Sequence, residues 1–157
     1  EILPNHFNKR GALIDAKESD DVNPERASAG TQFCFVQGKV LSDTELDEKE
    51  ARINQIRRNW LYYKYLDQLK KEDPALAADS METELTNRAL IMVEDTLAEL
   101  GPYVIPAEHR EVYKTVGGVP HLDNSVTVFG EVVDGFDIVE KMSLVKTDKM
   151  TVLYMMS

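Results

Sequence analysis

The chain has 157 residues, with 28 acidic against 18 basic side chains, a formal charge of −10 and a pI near 4.8. That length can bury roughly two thirds of its unfolded surface in one core. Acidity without a Lys/Arg block excludes nucleic-acid binding through a basic patch, and no apolar run approaches the roughly 20 residues of a membrane-spanning helix.

In chain order, the first element is Thr31-Gln32-Phe33-Cys34-Phe35-Val36, β-branched and aromatic between Gly30 and Gly38, which predicts a buried strand. Ser42-Asp43-Thr44-Glu45 is a capping box, since the Ser42 hydroxyl and the Glu45 carboxylate can each accept from the other's backbone amide. A helix is therefore predicted from there, with Leu46, Ile53, Ile56, Trp60, Tyr63, Leu66 and Leu69 toward one face, ending at Lys71 or Glu72 before Pro74. A second helix is predicted from near Ser80, carrying Leu85, Ala89, Met92, Val93, Thr96, Leu97 and Leu100, and it stops at Gly101-Pro102. The short link from Lys71 to Asp79 folds the two back as an antiparallel hairpin. A shorter helix follows Pro106 through His109 and Val112-Tyr113 and ends at Gly117-Gly118.

Val126–Phe129 and Glu131–Val133 then predict two strands, or one bent strand, about Gly130. Phe136 to Met142 predicts one or two helical turns. Short strands with glycine-marked corners suggest a small barrel or sandwich. The residues alone thus predict a β-rich domain holding a helical hairpin. Trp60, Tyr62, Tyr63 and Tyr65, with Arg57 and Arg58, form either a protein-partner surface on that hairpin or a Trp60–Tyr63 core with Tyr62 and Tyr65 as half-exposed flank; the second reading is preferred.

Familiar catalytic spacings are missing: there is no Gly-rich phosphate loop, no Gly-x-Ser-x-Gly elbow and no paired-cysteine metal site. His6, His109 and His121 are scattered and read as surface or loop residues rather than metal ligands. The sole cysteine, Cys34, can form no internal disulfide and reads as a buried, inert thiol. It leaves the redox compartment open. No metal or cofactor is expected. Glu1 follows no Met or basic and apolar leader, so any targeting signal is expected to have been removed.

Three segments, in order, resemble the cyclophilin family of peptidyl-prolyl cis-trans isomerases. Gly11-Ala12-Leu13-Ile14-Asp15-Ala16-Lys17, with Ala29-Gly30-Thr31-Gln32-Phe33 after a loop, is similar to the family's stretch ending in Gly-Ser-Gln-Phe-Phe. His121-Leu122-Asp123-Asn124 is similar to its Trp-Leu-Asp-Gly. Thr127 to Val139 contains Val-Phe-Gly-x-Val-x-x-Gly-x-Asp-x-Val, the most specific of the three. The loop Asp20–Ser28 and the run Tyr113–Pro120 resemble a bacterial branch of the family.

The resemblance implies a mainly β fold: an antiparallel eight-stranded barrel whose C-terminal part is residues 1–38 and 120–157, with residues 39–119 as a helical insertion and return loop. It implies a shallow groove that isomerises Xaa-Pro bonds in proline-containing peptides or unfolded proteins. The alternative is a non-catalytic binding or chaperone module that holds partners with the hairpin. Gln32 matches the glutamine that holds the peptide, and Ala16 and Lys17 the strand whose backbone pairs with it; Asn is usual at Lys17, so only the main chain carries over. Cys34 stands where a pocket-wall Phe is common, which implies a wider proline pocket, and Leu122 matches a pocket leucine. His121 replaces the Trp that helps hold cyclosporin, implying weak affinity for that drug, and Val126 replaces a rim His or Tyr.

The family's N-terminal signatures Phe-His-Arg-Val-Ile and Met-Ile-Gln-Gly-Gly-Asp have no counterpart. Arg10, Arg26 and Arg52 lie in other contexts, so no catalytic arginine is assigned. The chain is accordingly expected to be part of a longer protein or to lack omitted residues. A final strand is expected at Met150–Tyr154. An extracytoplasmic bacterial location, periplasmic or lipoprotein, is slightly preferred to the cytoplasm.

Overall fold

The computed structural model describes residue 3 and residues 5–146. In chain order these form β1 (Ala12–Asp15), β2 (Phe33–Phe35), α1 (Asp43–Glu72), α2 (Glu82–Leu100), α3 (Ala107–Thr115), β3 (Val128–Glu131) and α4 (Phe136–Ser143), with 3-10 turns at Pro74–Ala77, Asp79–Met81 and Pro120–Leu122. The strand expected at Met150–Tyr154 lies outside the described residues.

The expectation of a mainly β, eight-stranded barrel is overturned. Of the described residues 53% are helical and 10% are in strands, and the three strands form one open antiparallel sheet in the order β2-β1-β3. The physical reason lies in how little of each β-prone stretch finds a partner. Thr31–Val36 narrows to Phe33–Phe35, and the two stretches about Gly130 merge into β3, whose register against β1 shifts between Leu13 and Ile14. Left-handed Gly135 then turns the chain directly into α4.

One face of the sheet packs on a small core of Ala12, Ile14, Val36, Val119, Leu122 and Val126. The other face is open: Phe33 and Phe129 are 57% and 56% exposed, their rings 6.4 Å apart.

The helical elements follow their local chemistry closely. Ser42 caps α1 through the reciprocal bonds with Glu45 that the capping box implies, and Asp73-Pro74 ends it. Gly101 ends α2 at the expected stop. The 3-10 turn Asp79–Met81 takes up the residues just after Asp79, so α2 proper starts at Glu82 rather than Ser80.

The single apolar stripe expected on α1 is broken up, because a helix of 30 residues changes neighbours along its length. Leu46 and Ile53 join Leu41, Ile105 and Tyr113 near its start, while Leu69 joins Leu76, Leu85 and Ala89 near its end. Trp60, Tyr62, Tyr63 and Tyr65 are all half-buried, so Trp60 and Tyr63 are not core residues, and Leu61 is buried instead.

The helices and the sheet meet at a crossing of three backbones. Gly118 bridges both Lys9 and Lys39. A Cβ at Gly118 would lie 2.4 Å from the Asn8 carbonyl oxygen and 2.6 Å from the Tyr113 ring. Only a hydrogen fits there. Gly118→Ala is expected to lower the unfolding free energy by about 3 kcal/mol, read from urea denaturation. The control Gly30→Ala, whose added methyl meets nothing within 4 Å, should cost about 1 kcal/mol, for its left-handed backbone alone. Equal losses for the two variants would contradict a steric junction.

Candidate functional site

The site is built where the end of the sheet meets the Pro120–Leu122 turn. Asp15 closes β1 and its carboxylate accepts from the Thr127 amide at 2.6 Å, while its own amide donates to the Thr127 carbonyl at 3.0 Å. These two bonds seat the segment bearing Val126 beside the strand. Cys34, the middle residue of β2, packs half-buried against the same apolar cluster that holds Leu122 and Val126. Three of the residues expected at a proline pocket therefore converge on one cluster, with side chains largely turned from solvent. Burial, and then the Asp15 charge, pushes the Cys34 thiol up from its ordinary value, so it is protonated at neutral pH.

Ala16, Lys17 and Gln32 lie at the mouth of the neighbouring loop. The Ala16 amide donates to the Gln32 carbonyl at 3.2 Å and the Ala16 carbonyl accepts from the Ala29 amide at 2.8 Å. The main chain of Ala16 is thus already paired within the protein. The Lys17 ammonium is held by Asp20 at 2.8 Å, whereas the Gln32 side chain is exposed and open to a ligand.

The loop from Lys17 to Ser28 is tied down by a cluster that the sequence did not disclose. The Arg26 guanidinium donates to both carboxylate oxygens of Asp20, at 3.0 and 2.8 Å, and to the Asn124 carbonyl at 2.8 Å. Its flat face lies 4.4 Å from the ring centre of Trp60 on α1, and the Trp60 indole N–H donates to the Pro24 carbonyl at 2.8 Å. Desolvation opposes ionisation of Asp20, but the bonds from Arg26 and Lys17 outweigh it and hold this carboxyl below its usual range. Arg26 sits in the left-handed region, φ 55°, an unusual conformation for a non-glycine residue. Its N–H edge is bonded and one face lies on Trp60, which leaves the side chain 12% exposed. The only sequence-level sign of this cluster is an Arg and an aromatic helix residue of unspecified partners.

His121 stands apart from the apolar cluster, on the side covered by α1. It is half-buried, its Nδ1 is buried without a hydrogen-bond partner, and burial, followed by the positive charges of Arg52 and Lys49, lowers its pKa from 6.5 to about 4. The ring is neutral at pH 7.

Among the described residues no group of three or more His, Cys, Asp or Glu could hold a metal ion, and no helix is long and apolar enough to cross a membrane. Two surface hollows, of about 490 and 350 Å³, lie along the seam of α1 and α2, where Arg58 lines both and Tyr62 and Tyr63 line the smaller.

A depressed histidine couples this site to stability. Between pH 6.5 and 4 the unfolded chain binds a proton at His121 that the folded chain does not, so the contribution of this residue to stability is lost as pH falls through that window. Asp123 shifts the opposite way, its pKa raised by burial despite the bonds from Asn8 and Tyr113. A His121→Gln variant keeps Asp123 unchanged and isolates the histidine. Its acid-side loss, from urea midpoints at pH 6.5 and 4.5, should be smaller than that of the parent by up to about 2 kcal/mol; identical losses would show that His121 is not buried neutral.

Residues 110–155, less than a third of the chain, match the family described as cyclophilin type peptidyl-prolyl cis-trans isomerase/CLD. The match runs from α3 through the Pro120–Leu122 turn, β3 and α4. No solved structure matches the chain.

Proposed function

With a cyclophilin-type segment at residues 110–155 as the premise, we propose that the protein binds Xaa-Pro segments of peptides or unfolded chains and isomerises them. The observation that carries this reading is the convergence of Cys34, Leu122 and Val126 on one apolar cluster at the sheet end that also presents Gln32. A proline ring would rest on the exposed edge of Cys34, with Leu122 and Val126 as the floor beneath, and the exposed Gln32 amide would hold the peptide beside it. The main chain at Ala16 and Lys17 would guide the peptide only where its internal bonds leave room.

Uncatalysed prolyl isomerisation crosses a barrier of about 20 kcal/mol, most of it lost amide resonance. A groove accelerates it by holding the twisted amide more tightly than either planar isomer, with no covalent step. Gln32 serves that end if its bond to the peptide shortens as the amide twists. Residues 39–119, on this reading, are an insertion that forms one wall of the groove.

One observation favours a second reading, a binding or chaperone module without catalysis. Arg26, which donates to the Asn124 carbonyl just beyond the His121–Leu122 turn, is also held by Asp20 and Trp60 and so is not free to turn toward a prolyl nitrogen.

The two readings part in a protease-coupled assay on an Ala-Pro peptide. The isomerase reading expects acceleration that falls about tenfold in Gln32→Ala, the effect of one hydrogen bond of about 1.4 kcal/mol, with the helical circular dichroism unchanged. Peptide binding with no acceleration would select the module, and the absence of both would dismiss either reading.

A further inference from the structure

α1 lies against the turn that carries His121 and Leu122, so the groove proposed above is walled by a helix whose side chains face the peptide. Two of its side chains are cations. Lys49, half-buried, and Arg52, exposed, are three residues apart and hence neighbours on the surface of the helix that packs on the turn, and their charge bears on the His121 ring. Among the described residues neither has an ion-pair partner, in a protein with ten more acidic than basic side chains.

The nearby carboxylates are engaged elsewhere or stand away. Asp123, two residues beyond His121, points inward to Asn8 and Tyr113. Glu45 is bonded to Lys39 and Ser42, and Glu50 to the Ile105 amide and Arg110. Glu48, one turn before Arg52, makes no ion pair with it among the described residues. Beside the two cations, the neutral His121 ring leaves Nδ1 buried and without a partner. Such a corner lacks an anion on the protein's side.

We propose that Lys49 and Arg52 are the specificity wall of the groove, and that its preferred Xaa-Pro ligand carries a carboxylate side chain on a residue adjoining the proline; this rests on the peptide-binding reading above. Successive Cα atoms are 3.8 Å apart, so a proline ring seated on Leu122 brings its neighbour alongside His121. There the long Lys and Arg side chains reach it without moving the helix. Because the rest of the protein is strongly acidic, selection for an acidic ligand has to come from this local pair rather than from the overall field.

The test uses five tetrapeptides: Ala-Ala-Pro-Phe, and pairs with Glu or Lys placed immediately before or immediately after the proline. Affinities come from NMR titration of the whole 157-residue chain. At least one Glu peptide should bind about tenfold more tightly than its Lys counterpart, the scale of two partly exposed ion pairs. The ratio should approach one at 0.5 M salt. Lys49→Gln/Arg52→Gln should bring the ratio to about one at low salt, and Lys49→Glu/Arg52→Glu should invert it, each variant checked for unchanged helical circular dichroism.

Binding of Ala-Ala-Pro-Phe with no Glu preference would overturn the charge selection and leave the groove standing. A preference that survives in the folded glutamine variant would overturn the role of these two residues. Failure of every peptide to bind would overturn the groove and the selection together.

Discussion

The structure hangs on a buried carboxylate. Asp123 is 6% exposed and accepts from the Asn8 backbone amide at 3.0 Å, from the Asn8 side chain at 2.7 Å and from the Tyr113 hydroxyl at 2.9 and 2.8 Å. These donors come from the N-terminal segment and from α3, so one side chain joins the start of the chain, the helical region and the turn before β3. Hydrogen bonds to a charged group contribute roughly 1.5–3 kcal/mol each. Without these bonds the buried charge would have no compensation. Burial still raises the Asp123 pKa, and it holds the Tyr113 hydroxyl well above its ordinary value, so this tyrosine is a donor at every accessible pH. Phe7 completes the clasp, stacked at 3.8 Å on His109 and edge-on to Tyr113.

From that clasp the functional geometry follows. It fixes the Pro120–Leu122 turn, which sets Leu122 into the apolar cluster and His121 against α1. It also fixes α3, and through Arg110, which engages Asp47 and Glu50, the first half of α1. The helix is therefore held beside the sheet end at its start by ion pairs and further along by Trp60 and Arg26. Its far half leaves with α2 as a hairpin having a core of its own about Leu69, Leu76, Leu85 and Ala89.

What the sequence disclosed was mostly local. Ser42 with Glu45, Pro74 and Gly101-Pro102 act within a few residues, so the limits of α1 and α2 could be read directly. The family resemblance expects Cys34, Leu122 and Val126 about one groove, and the structure places their side chains in one apolar cluster. The expected barrel failed, since a strand exists only if a partner is present, and β-branched composition cannot report whether one is. The Asn8–Asp123 bond spans 115 positions, and the Arg26–Trp60 contact joins a loop to a helix. Neither leaves a periodic trace. Asp123 was noticed as part of a motif, yet its inward orientation depends on a tyrosine and an asparagine from elsewhere.

The open face of the sheet gives the protein's charge a further meaning. Phe33, Phe35 and Phe129 stand in edge-to-face contact on a surface that water wets poorly. Approach of a second copy to this face would be opposed by the net charge of −10. That repulsion reaches only about 8 Å in physiological salt and fades as pH approaches the pI of 4.8. Acidity spread over the whole surface thus acts locally for this chain, as a barrier of short range in front of two exposed phenylalanine rings.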